Sequence, residues 1–283
     1  MNATSPYGYL APGQPIGKVS MAPGQNIAGY HVGIIYIEDV WYPMVPGNVV
    51  NASTWEFPVL LQPVRGIDIP ALFGPEHKDL SKPVLEACRE LEQRGVRAIS
   101  SACGFFGRYQ AKIAPKLGVP AALSSLVQIP WIRTVLPGRK IAVLTADSDS
   151  LDPEILEACG VTDTSDLVFC GFQYEPQFSA INQHRGSFDN NQVEHELVSA
   201  AEEACRDPEV GVILLECSDM PPYAAAIQAA VGVPVFDFTT LIRWLNGAVA
   251  QRPYGGCRLL YTSDPADERP GSLSVGAAAL QKK

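Results

Sequence analysis

Residues 103–120, CGFFGRYQAKIAPKLGVP, align without a gap on residues 217–234, CSDMPPYAAAIQAAVGVP. Cys103 falls on Cys217, Tyr109 on Tyr223, Ala111 on Ala225, Ile113 on Ile227, and Gly118-Val119-Pro120 on Gly232-Val233-Pro234. Each copy follows an apolar run of strand length, VRAIS at 96–100 and VGVILL at 210–215. Each then passes through a helical pattern to Gly-Val-Pro and a further short apolar run. A repeat of this length means two copies of one supersecondary unit. It predicts an α/β protein of two pseudo-symmetric lobes, each a short parallel sheet flanked by helices. Ligands of open parallel sheets bind beyond the carboxyl ends of the strands, so both cysteines are expected to face one inter-lobe cleft.

Working outward, HVGIIYI at 31–37 reads as the first strand and is followed by a long loop containing Pro, Gly and Asn. A helix is expected from Ser81 and Pro83, with Val84, Leu85, Cys88 and Leu91 on one face and Gly95 at its end. KIAVLT at 140–145 opens the second series, Asp152-Pro153 starts a helix closed by Gly160, and another helix is expected at about 191–205. The division this implies is 29–135 for the first lobe and 136–237 for the second, with a helix at 238–252 packing back on the first. Residues 1–28 repeat Pro and Gly without apolar periodicity and read as a flexible N-terminal extension. Residues 255–283 include LLYTSDPADERPGSLSVG, which has turn residues but no core pattern. That tail is similar to translated sequencing-adapter read-through and reads as a non-core, artefactual segment.

The chain has 283 residues, 47% of them hydrophobic and 18% charged, a balance that supports a folded core. Its formal charge of -9, with no Lys/Arg cluster, argues against a nucleic-acid partner, since phosphate binding needs a cationic surface. No apolar stretch is long enough for a bilayer and no secretory signal pattern opens the chain, so a cytoplasmic protein is expected. Seven cysteines without a Cys-x-x-Cys pair read as free thiols rather than a disulfide framework or zinc site. His31, His77, His184 and His195 show no metal spacing, and glycine-rich nucleotide loops are absent.

A buried cysteine is usually a small hydrophobe. Cys88 and Cys205 lie on apolar helix faces, Cys159 at a helix end, Cys170 in a strand-like run and Cys257 beside the tail, and these five read as structural. Cys103 and Cys217 stand apart because the repeat puts both at strand ends. At these residues the chain resembles the aspartate/glutamate/hydantoin racemase superfamily over roughly residues 30–250. That resemblance implies two pseudo-symmetric α/β domains sharing a cleft, one cysteine from each. Cys217-Ser218-Asp219 is similar to the superfamily's Cys-Thr-Glu motif and implies a substrate-binding hydroxyl and an acidic partner. Cys103-Gly104-Phe105 stands where Cys-Asn-Thr is common. Thr145 and Ser148 resemble the superfamily's Thr-rich segment, while Ser101, Ser124 and Ser125 flank the first cysteine's strand and the next. The loop from Glu38 to Thr54 is implied in binding through Asn48, and Trp41, Tyr42 and Trp55 make its surroundings aromatic.

Removing a proton beside a carboxylate without a cofactor requires the protein to stabilise the carbanion. Inverting the carbon also requires a base on one face and an acid on the other, which two thiols near neutrality can supply. Each cysteine precedes a helical segment whose exposed N–H groups are expected to favour a thiolate and bind a carboxylate. The reading is a cofactor-independent racemase or epimerase of a small α-substituted carboxylic acid, without metal, acting as a homodimer. Alternatives on the same fold are a maleate isomerase-like or arylmalonate decarboxylase-like enzyme, or a non-catalytic ligand-binding protein.

Overall fold

The structure, a computed structural model, describes residues 21–67, 72 and 79–251. Most of the 1–28 extension, His77, Cys257 and the whole 255–283 tail lie outside the described residues, and residues 21–28 carry neither helix nor strand.

Two four-stranded parallel sheets form the core. The first contains β1 (Val32–Ile37), β2 (Val59–Val64), β3 (Ala98–Ser101) and β4 (Ala121–Ala122), in the order β2-β1-β3-β4. The second contains β5 (Lys140–Thr145), β6 (Leu167–Gly171), β7 (Val210–Leu215) and β8 (Val235–Phe236), in the order β6-β5-β7-β8. The orders correspond strand for strand. Ile99 pairs with Ala121 and Ser100 with Ala122, while Ile213 pairs with Val235 and Leu214 with Phe236. These pairs are separated in sequence by the same interval that carries Cys103 onto Cys217. The gapless repeat is therefore a repeat of sheet register as well as of residues.

Strand β2 lies inside what reads as a long loop from sequence. Its run Val59-Leu60-Leu61-Gln62-Pro63-Val64 contains a proline, which weakens a strand reading. The sheet tolerates Pro63 because β2 is an edge strand paired only with β1.

Helices fall where caps and periodicity place them. Helix α1 (Ser81–Gln93) buries Val84, Ala87, Cys88 and Leu91, and Asp79 accepts the Ser81 N–H at its start. Leu91 lies so close to Gly33 of β1 that a methyl group there would meet its side chain at 2.8 Å. Short helices α2 (Gln110–Ile113) and α3 (Ile129–Val135) follow in the first half. In the second, Asp152 caps α4 (Pro153–Ala158) by accepting the Ile155 N–H. Then come α5 (Ser179–Asn182) and α6 (Asn190–Ala204), the latter capped by Asp189. Helix α7 (Ala224–Val231) ends at Gly232 in the left-handed region.

Helix α8 (Phe238–Val249) begins with a capping box between Asp237 and Thr240. It places Phe238, Leu241, Ile242 and Leu245 in a cluster with Val32, Ile34 and Ala98 of the first sheet. A second cluster spans both sheets, uniting Ile35 and Ile99 with Val143 and Leu214 around Phe105 and Phe106. Buried Arg108 reaches from the first half to Asp152 at 2.7 Å and Glu154 at 2.8 Å in the second. Among the described residues, no helix is long and apolar enough to cross a membrane.

Phe238 is fully buried, so Phe238→Ala removes an aromatic anchor between α8 and β1. A loss of about 3–5 kcal/mol is expected from the lost burial and the cavity left behind, measured as a lower urea midpoint with unchanged slope.

Candidate active site

The ends of β3 and β7 meet over one cavity. Cys103 follows β3 and is 8% exposed, Cys217 follows β7 and is 7% exposed, and both line the same space. About 550 Å³ of atom-free space lies there, open solvent at the mouth included. Among the residues named from sequence, Asn48, Gly104, Phe105, Ser218 and Asp219 join the cysteines at its wall.

Asp219 is the hub of the polar wall. Asn48 Nδ2 donates to its Oδ1, and Tyr42 Oη (3.3 Å) and Ser218 Oγ (3.4 Å) donate to its Oδ2. The Cys217 thiol points to the same Oδ2 at 3.5 Å. Asn48 reaches across because its loop is laid tightly on the second half. The Val49 N–H donates to the Ser218 carbonyl, and a methyl group on Gly47 would meet the Pro222 backbone at 2.7 Å. Gly47 also has φ +102, a conformation that an L side chain rarely adopts.

The remaining hydroxyls do not line the cavity. Ser101 donates to the carbonyls of Cys103 and Leu123, holding the strand end rather than a ligand. Ser124 caps the following turn by accepting the Leu126 N–H. Ser125 donates to the Leu215 carbonyl at 3.0 Å, tying the first half to the end of β7. Thr145 donates to Glu216, and Ser148 accepts from Gln173 at 3.1 Å. Trp41 is 72% exposed and Trp55 is packed in the core with its indole N–H on Val49, so of the aromatic loop only Tyr42 lines the cavity, joined by Tyr36 and Phe105.

The sequence reading passed over Glu216. It is the repeat counterpart of Ala102: the N–H of Ala102 donates to Ile35 and that of Glu216 to Leu144, each at 2.8 Å. Glu216 is fully buried, lines the cavity, accepts from Thr145 Oγ1 at 2.9 Å through Oε2, and leaves Oε1 without a hydrogen-bond partner. A methyl group on Gly104 would overlap this carboxylate. The available signal was a charge closing an otherwise apolar strand, VGVILLE, directly before the second cysteine.

The electrostatics correct the expectation of easily ionised thiols. No long helix starts at either cysteine: Cys103 caps a 3-10 turn, Gly104–Tyr109, and the turn Pro221–Tyr223 begins beyond Met220. Burial pushes the Cys103 thiol up, the charges of Glu216 and Asp219 push it further, and the N–H groups of Phe105 and Phe106 oppose them. Cys217 is raised by burial, then by Asp219 and Glu216, against one N–H from Asp219. Burial also lifts both carboxyls, Asp219 to about 6 despite its donors and Glu216 to about 7, with Asp147 adding to the latter. Among the described residues, this wall has no Lys, Arg or His, and no cluster suited to a metal ion occurs.

Two similar strand ends each present a cysteine to one cavity, in a two-lobed fold shared with solved arylmalonate decarboxylase and aspartate racemase-like structures. Solved structures agree on the fold. An arylmalonate decarboxylase mutant in a sulfate-associated form matches with TM-score 0.51 and 17% identity, over 80% of this chain and 97% of that one. An aspartate racemase homologue from Pyrococcus horikoshii also matches with TM-score 0.51 and 17% identity, over 78% of this chain and 99% of that one. No family model matches. Curated relatives are nearer in sequence. A dimethylsulfoniopropionate lyase of Durusdinium sp. clade D is 30% identical over 227 residues, 76% of this chain and 74% of the relative. Dimethylsulfoniopropionate lyase 3 of Emiliania huxleyi is 31% identical over 237 residues, 80% of this chain and 61% of the relative. The chain belongs to the family of the dimethylsulfoniopropionate lyases.

Two tests address this wall. Asp219→Asn removes the charge that most opposes a thiolate at Cys217 after burial itself. The Cys217 thiol is then expected to alkylate faster with iodoacetamide at pH 8, read by peptide mass spectrometry. Asp219 and Glu216 also hold protons in the folded state that the unfolded chain releases at lower pH, so stability should fall as pH rises through 6 to 7. Thermal melts at pH 5 and pH 8 should show the higher midpoint at pH 5.

Proposed function

We propose that this chain is a lyase acting on dimethylsulfoniopropionate by β-elimination. The observation that carries the reading is a cavity holding two thiols and two buried acids, with no cationic side chain among the described residues of its wall. A dicarboxylic amino acid would bring negative charge toward Asp219 and Glu216. A zwitterion with a sulfonium brings positive charge there, and Tyr36, Tyr42 and Phe105 add ring faces that favour a cation. The names of the curated relatives support the same substrate.

In this mechanism the sulfonium lies near Asp219 and the aromatic rings. Asn182, whose amide also donates to the Ala146 carbonyl at 3.1 Å, is a neutral donor for the carboxylate end. The substrate's positive charge lowers the cost of a thiolate in the cavity, offsetting what burial and the two acids impose. The thiolate takes the proton from the carbon beside the carboxylate. The electron pair left there forms the carbon–carbon double bond, the carbon–sulfur bond breaks, and dimethyl sulfide departs with that bond's electrons. Acrylate remains, with a proton on the cysteine that later returns to solvent.

Racemisation shares the first step and differs in the second. A carbanion without a leaving group waits for a proton from the opposite side, whereas a β-sulfonium collapses to the alkene. The presence of both Cys103 and Cys217 at one cavity favours this second reading, in which a small α-substituted acid is inverted. We take the enzyme to be a cytoplasmic homodimer.

Incubation with dimethylsulfoniopropionate should release dimethyl sulfide into the headspace and acrylate into solution in equal amounts. Cys103→Ser and Cys217→Ser should each lower the rate on the order of a hundredfold or more. An inactive wild-type protein that exchanges the α-hydrogen of amino acids or hydantoins in deuterated water would replace the lyase with the racemase.

A further inference from the structure

The elimination does not itself require Glu216, yet this residue has the features of a working group. Its carboxylate is fully buried, one oxygen has no partner, and the side chain lines the cavity. Gly104, directly after Cys103, has no side chain where one would strike that free oxygen. The end of β7 thus presses a carboxylate against the backbone that carries the first thiol.

We propose that Glu216 is the proton acceptor for the Cys103 thiol, shifting charge from the buried carboxylate to the sulfur that faces the substrate. The step balances: the S–H bond breaks, an O–H bond forms on Glu216, and the negative charge passes to sulfur. After the thiolate has taken the substrate's proton, Glu216 releases its own to water. Because the total charge of the cavity is unchanged, this transfer avoids adding a second charge to a buried site. A carboxyl lifted to about 7 by burial is also suited to give and take a proton near neutrality. Thr145 Oγ1, Tyr42, Asp147, Cys159, Cys217 and Asp219 are the other polar or titratable groups facing this pair among the described residues, and none of them is a cation. Glu216 acts through Cys103 and is a positioning residue.

The inference rests on the proposed function only in treating Cys103 as a reacting thiol, so its test uses iodoacetamide and no substrate. In the whole wild-type chain, the alkylation rate of Cys103, followed by peptide mass spectrometry from pH 5 to 9, should show an inflection near 7. Glu216→Gln should abolish that inflection and slow alkylation at pH 8 on the order of tenfold or more, and Glu216→Asp should restore part of the rate. A purely electrostatic carboxylate gives the opposite sign, because removing a negative charge makes a nearby thiol ionise more readily. Faster or unchanged alkylation in Glu216→Gln overturns the proposal, as does a wild-type profile without the inflection, which requires no variant to fold. Absence of dimethyl sulfide release alongside the expected alkylation profile would defeat the lyase reading and leave this one standing.

Discussion

The site depends on how closely the ends of β3 and β7 approach. Gly104 and Glu216 occupy space that a single extra methyl group would close. That contact buries a carboxylate between two cysteines and denies it full hydration. The cost is held by the surrounding fold: a core cluster spanning both sheets, Ser125 clasping the end of β7, and Arg108 bridging to Asp152 and Glu154. The Arg108 pairs illustrate why the packing matters more than the ions. Their acidic partners are substantially exposed, so water screens the attraction, while the apolar cluster is dry.

Charge at the cavity follows from the same constraint. Burial lifts thiols and carboxyls alike, so the site favours protons on its acidic groups. A site of this kind is poorly suited to hold a thiolate in isolation and well suited to form one when a cation enters. On the proposed lyase reading the sulfonium's charge becomes part of the site's electrostatics, and an anion meets no cationic side chain among the described residues of the wall.

Much of the architecture was legible because a repeat constrains many residues at once. The gapless match from Cys103 to Pro120 carried the two-lobed plan, a parallel sheet in each lobe and the equivalent strand-end positions of the two cysteines, while strand order and register emerge from the backbone pairing itself. Individual side chains were less legible, since a hydroxyl at a strand end can turn either way. Ser101, Ser124, Ser125, Thr145 and Ser148 satisfy nearby backbone or protein groups, whereas Ser218 reaches the cavity wall. Strand β2 was hidden by Pro63, which only its edge position makes acceptable. Glu216 was hidden by the repeat itself, because attention to what the copies share passes over what only one of them has.

That difference has a chemical consequence. The backbone is nearly two-fold, but one wall bears a carboxylate where the other bears the methyl group of Ala102. A CH₂ group held between the strand ends therefore meets a carboxylate on one side and a methyl group on the other. Divergence at one duplicated position is enough to make the two sides of a pseudo-two-fold cleft chemically unlike.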